Sequence, residues 1–129
     1  MPTAVTIDDS PLVRLQLRKI LGQLGVAVVA DGASGDQLHA LYEQHRPDLV
    51  TLDIVMPGKD GVTAAIELLR DFPSARIVMC TSLASRDKIV ACQRAGVAHY
   101  LLKPLDAARA EKAFRFVLQR SGDAPRSQP

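Results

Sequence analysis

The sequence predicts an α/β protein: one five-stranded parallel sheet, doubly wound, with helices on both faces. Three observations predict it. Short apolar runs recur five times, and each is followed by a stretch with apolar residues at helical spacing. The runs lack strict apolar–polar alternation, which marks strands covered on both faces. Cap residues, glycines and prolines punctuate the units.

The elements follow in order. AVTI (4–7) is the first strand. Ser10-Pro11 supplies an N-cap and an N1 proline for a helix with Val13, Leu17, Ile20, Leu21 and Leu24 at helical spacing. Gly22 and Gly25 close that unit. VAVVA (26–30) is the second strand. Ser34 caps a second helix that runs to about His45, with Leu38, Leu41 and Tyr42 inward, and Pro47-Asp48 stops it. LVTLD (49–53) is the third strand. Asp60-Gly61 opens a third helix with Val62, Ala65, Ile66 and Leu69 on one face, and Pro73 breaks it. RIVMC (76–80) is the fourth strand, residues 86–95 the fourth helix, ended by Gly96, and AHYLL (98–102) the fifth strand. Leu105-Asp106 leads into a fifth helix to about Gln119. These units make one domain over residues 1–119. The remainder, RSGDAPRSQP (120–129), has no apolar pattern and reads as a disordered tail.

Composition narrows the function classes. Sixteen basic and fourteen acidic side chains give a net charge of +2, too mild to indicate nucleic acid or a membrane surface. No apolar run is long enough to span a bilayer, and the start is not a signal peptide. A cytoplasmic protein is expected. Cys80 and Cys92 form no CxxC pair and read as buried reduced thiols. The three histidines have no metal-ligand spacing.

In open parallel sheets, sites form beyond the carboxyl ends of the strands. Asp8 and Asp9 follow the first strand, Asp53 ends the third, Thr81 and Ser82 follow the fourth, and Lys103-Pro104 follows the fifth. In the flavodoxin-like order 2-1-3-4-5, strands 1 and 3 are neighbours, so the three acids meet in one cleft. Converging carboxylates need a cation or a proton. An all-oxygen set with few side chains suits Mg²⁺. Lys103 suits a phosphoryl oxygen, Thr81 can donate to another, and a carboxylate such as Asp53 can itself accept a phosphoryl group.

The pieces DDS (8–10), LDIVMPGKDG (52–61), TS (81–82) and YLLKP (100–104) stand in one order and spacing. They resemble the receiver domain of bacterial response regulators, in particular the single-domain chemotaxis type, over about residues 3–119. The strand order applied above is the one known for that family. The resemblance implies Asp53 as phosphoacceptor. It implies Mg²⁺ held by Asp9, Asp53 and the Val55 backbone carbonyl, with Asp8 acting partly through water. Lys103 contacts the phosphoryl group, Thr81 swings in to hydrogen-bond it, and Tyr100 moves inward behind it. The Lys103–Pro104 bond is cis. Val55 and Leu83 lie near the phosphoryl approach.

The expected function is a stand-alone receiver, chemotaxis-like. A histidine kinase or phosphotransfer protein, docking at the first helix, supplies the phosphoryl group. The switched face comprises the fourth helix, fifth strand and fifth helix. With no output domain after the fifth helix, an output protein such as a flagellar switch component receives the signal. The chain is then no enzyme beyond its own phosphorylation and dephosphorylation, and is a monomer or a weak dimer when phosphorylated. On the fifth helix Ala110, Phe114 and Val117 share the core face. Phe116 lies about 200° from Phe114, beside Arg109, Lys112 and Arg120, where it either docks an acidic amphipathic partner or packs at the helix edge. The alternatives are a phosphorelay intermediate or phosphate sink, or a haloacid-dehalogenase-type phosphatase. The phosphatase would place a second acid two residues after its nucleophile, where this chain has Val55. A flavin carrier would find Asp8 and Asp9 repelling its phosphate.

Overall fold

The computed structural model describes residues 1–119. Five strands, β1 (Thr3–Ile7), β2 (Ala27–Gly32), β3 (Leu49–Leu52), β4 (Ile77–Thr81) and β5 (His99–Leu102), alternate with five helices, α1 (Pro11–Gln23), α2 (Leu38–His45), α3 (Gly61–Asp71), α4 (Arg86–Ala95) and α5 (Ala107–Gln119). All strand pairs are parallel, in the order β2-β1-β3-β4-β5. The flavodoxin-like architecture and its strand order therefore match the expectation. The tail expected at 120–129 lies outside the described residues, as does Arg120.

Alternation along each strand sends side chains into two cores. Val5, Ile7, Val50, Leu52, Ile77 and Met79 face α2, α3 and α4. Ala4, Leu49, Val78 and Cys80 face α1 and α5, where Leu17, Leu21, Phe114 and Val117 close the layer. Phe114 is wholly buried. Helix α4 contributes one fully buried side chain, Cys92.

Local signals set most boundaries. Ser10 accepts from the Val13 N–H at 3.3 Å and caps α1. Asp60 caps α3 by accepting from the Thr63 N–H at 2.9 Å. Gly96 ends α4 at φ +99°, a left-handed conformation that glycine adopts without strain.

Two expectations are corrected. Ser34 caps a 3₁₀ turn, Gly35–Gln37, and α2 proper begins at Leu38. Ile66 is not inward but 47% exposed. The buried arc of α3 also takes in Gly61, Ala64 and Leu68, which leaves Ile66 roughly 120° from its centre at 3.6 residues per turn.

Candidate functional site

The site lies at the carboxyl end of the sheet, between β1 and β3. The parallel register pairs Ile7 with Leu52. Asp8 and Asp53 are the next residue on each strand, so the two acids emerge side by side. The backbone fixes both: the Asp8 N–H donates to the Gly32 carbonyl at 2.9 Å, and the Asp53 N–H to the Ile7 carbonyl at 3.0 Å.

Asp8 is 1% exposed and Asp53 6%. Buried carboxylates need partners. Lys103 arrives from the end of β5, and its Nζ lies 2.8 Å from Asp8 Oδ2 and 2.9 Å from Asp53 Oδ2. The second oxygens take backbone donors, the Ser10 N–H on Asp8 at 2.9 Å and the Ile54 N–H on Asp53 at 2.7 Å. Burial works against the Lys103 ammonium, but the bonds to Asp8 and Asp53 outweigh it, and its pKa ends above the ordinary lysine value.

Asp9 completes the group from the solvent side. Carboxylate oxygens of Asp8, Asp9 and Asp53 lie within 4.8 Å of one another. Asp9 is exposed and has no ion-pair partner among the described residues. Three carboxylates against one ammonium leave an excess of two negative charges. Hard oxygen donors gathered around uncompensated charge fit a small divalent cation.

The other expected residues surround this cluster. Thr81, fully buried at the end of β4, accepts from the Leu83 N–H at 3.3 Å. Tyr100, half-buried on β5, donates its hydroxyl proton to the Leu83 carbonyl at 2.7 Å. Leu83 thus joins the two residues that the sequence marked as a switch. The Lys103–Pro104 bond is cis. Val55 is exposed in the loop that follows Asp53. On the far side of β5, Arg109, Lys112 and Phe116 line a groove of about 740 Å³ with His99 and Leu102. Phe116 is 56% exposed, so it does not pack away at the helix edge.

Sequence reasoning missed several contacts. Arg14 donates to the Asp8 carbonyl at 2.5 Å. Cys80 is fully buried on β4; burial pushes its thiol up to about 12, with Lys103 opposing the rise and Asp8 and Asp53 adding to it. The loop after β2 touches the loop after β3. None of these leaves a spacing signal in the chain.

The sequence model of the response regulator receiver domain matches residues 4–115. The chain belongs to the response regulator receiver family. Among its relatives, the chemotaxis protein CheY of Bacillus subtilis is 36% identical over 112 residues, 87% of this chain and 93% of that protein. Protein CcdB of the same organism is 30% identical, over 92% of this chain and 98% of that one. A chain of the CheX–CheY–BeF3–Mg²⁺ complex from Borrelia burgdorferi shares the fold with a TM-score of 0.87 at 28% identity, covering 92% of this chain and 90% of its own length. This receiver is therefore CheY-like in sequence and in fold, and a member of a signalling family. No helix among its described residues is long and apolar enough to cross a membrane.

Proposed function

We propose that this receiver is a phosphorylation-controlled switch that takes a phosphoryl group from a phosphohistidine onto Asp53. The observation that carries the reading is the Lys103 ammonium shared between Asp8 and Asp53, 2.8 and 2.9 Å away, with Asp9 open beside them. An Asp53 oxygen attacks phosphorus in line, the new O–P bond forms, and the N–P bond of the donor breaks. Lys103 is already at the reacting carboxylate and can follow the charge onto the phosphoryl oxygens. The residues that would hold Mg²⁺ are Asp9, Asp53 and the Val55 carbonyl, with Asp8 acting partly through water; such an ion supplies charge neutralisation on the transferring group.

The phosphoryl group adds about 1.5 to 2 negative charges. Thr81, turning to donate to it, must release the Leu83 N–H. Leu83 also accepts from Tyr100, so the second switch residue is loosened with the first. Coupling of this kind is typically worth about 1–3 kcal/mol. It reaches the α4–β5–α5 face, where Arg109 and Lys112 flank the exposed Phe116. That surface suits an acidic amphipathic partner. The CheY relatives favour a chemotaxis-like output, which we place in the cytoplasm, delivered by a monomer or weak dimer to another protein. A phosphorelay intermediate or phosphate sink uses the same chemistry without that partner.

The test is phosphorylation of the full chain by acetyl phosphate or phosphoramidate with Mg²⁺, read by intact mass. One phosphoryl group is expected on the wild type, and none on Asp53→Asn or in EDTA. Uptake by Asp53→Asn would remove Asp53 as the acceptor.

A further inference from the structure

The Val55 carbonyl lies three residues past the end of β3, further from its strand than any other cation ligand in this reading. It sits in the irregular segment between β3 and α3. That segment is anchored at its root, where the Gly61 N–H donates to the Ile54 carbonyl at 2.9 Å. Beyond the root, hydrogen bonds to the backbone of residues 55–59 come, among the described residues, from the β2–α2 loop alone. The Ser34 hydroxyl lies 3.0 Å from the Pro57 carbonyl, and the Lys59 N–H donates to Asp36 Oδ2 at 3.1 Å.

The two loops meet with no room between them. Gly58 has φ +74°, and a Cβ there would lie 2.2 Å from Asp36 Oδ2. A Cβ on Gly35 would lie 2.2 Å from the Lys59 carbonyl oxygen. The supporting side is itself fixed. Ser34 Oγ accepts from the Asp36 N–H at 3.2 Å, and its single proton is shared between the Pro57 carbonyl and Asp36 Oδ2, 3.1 Å away. The Gln37 side-chain oxygen accepts from the Ala33 and Ser34 N–H groups at 2.8 and 3.1 Å. The Lys59 N–H, and after it Ser34, hold the Asp36 carboxyl below its ordinary range.

We infer that Asp36 and Ser34 are positioning residues for the cation site: they clamp the β3–α3 loop so that the Val55 carbonyl is set before the ion binds. This rests on the reading that Asp9, Asp53 and the Val55 carbonyl hold Mg²⁺. A clamp of this kind tunes affinity without touching the ion, as supporting contacts around metal ligands do, and its loss weakens binding by about tenfold or more. Asp36 is distant in sequence from every residue of the acid cluster, and only the packing of the two loops brings it to bear.

The experiment is an Mg²⁺ titration of the full-length chain, followed by amide chemical shifts in NMR, for the wild type, Asp36→Ala, Asp36→Asn, Ser34→Ala and Asp9→Asn. Thermal stability in EDTA is measured on the same samples. The clamp predicts an Mg²⁺ dissociation constant raised about tenfold in Asp36→Ala. A smaller rise is expected in Ser34→Ala, and a near-wild-type value in Asp36→Asn, whose amide oxygen can still accept from Lys59. Ser34→Ala carries the test if Asp36→Ala does not fold. An unchanged constant in both alanine variants overturns the inference, even with a lowered melting point, because the contact is then structural only. Asp36→Asn as weak as Asp36→Ala overturns it too, since charge and not placement would be at work. Failure of the underlying reading looks different: the wild type binds no Mg²⁺, or Asp9→Asn binds it equally well.

Discussion

Asp9→Asn removes one charge from the acid cluster and keeps its shape. Lys103 is bonded to Asp8 and Asp53, so Asp9 meets two like charges within 4.8 Å and no cation in ion-pair contact. At that separation each pair repels by about 0.9 kcal/mol at the dielectric of water, and by about 3.5 kcal/mol at an effective dielectric of about 20. Asp9 is exposed, so solvent screening favours the lower figure. Lys103, bonded to both acids, offsets about one of the two charges, so the net repulsion on Asp9 comes to about 1 kcal/mol. The variant should be more stable than the wild type in EDTA by that amount, or by about 3–5 °C in Tm for a domain of this size. Excess Mg²⁺ should reverse the order. At a hundredfold excess over its dissociation constant a ligand stabilises by about 2.7 kcal/mol, and the variant lacks one of the groups that would hold it. The assay is urea unfolding by circular dichroism, with and without Mg²⁺, because the chain has no tryptophan to report fluorescence. A variant less stable than the wild type in EDTA would refute the repulsion argument. Equal gains from Mg²⁺ in both proteins would remove Asp9 from the cation site.

Lys103→Met should cost about 3–5 kcal/mol in EDTA, since it leaves two buried carboxylates without a cation, and urea unfolding with added Mg²⁺ should recover part of the loss. The Lys103 pKa is raised in the fold, so its contribution is complete below the unfolded value and is lost only as pH rises through the folded one. The difference between wild type and variant should therefore stay level from neutral pH to about 9 and shrink in stronger alkali. Cys80, with its thiol pushed up to about 12 by burial, should resist a disulfide reagent at about pH 8 until the protein opens, with labelling timed by stopped flow against unfolding. Gly61→Ala would put a Cβ 2.0 Å from the Asp53 carbonyl oxygen. The neighbour is backbone and must move, so a loss of about 2 kcal/mol or more is expected, with slower phosphoryl uptake by intact mass.

The site was legible in the chain to the extent that it lies at strand ends. Asp8, Asp53, Thr81 and Lys103 each follow or end an apolar run, and the parallel sheet brings every such position to one edge. Helix caps at Ser10 and Asp60 were legible because capping is a local hydrogen bond. Ile66 was misplaced because its neighbours include alanines and a glycine, which bury well without adding to an apolar stripe. The contact of Ser34 and Asp36 with Pro57 and Lys59 was invisible for a different reason. It joins two loops more than twenty residues apart, and no period or motif links them. The same holds for Leu83, which takes part through its peptide group and could be almost any residue.

Helix α4 rests on the molecule through one fully buried side chain, Cys92, whereas α1, α3 and α5 each bury three or more. Its opening free energy should sit at the low end of the range for this fold. Amide protons of α4 are then expected to be the first among the helices to exchange with deuterium, well before those of the neighbouring α3. On the proposed function, a signal raised at Thr81 would enter the chain four residues before the α4 N-cap, Ser85. Of the five helices α4 has the fewest fully buried side chains to hold it, so a local change should displace it more readily than the others.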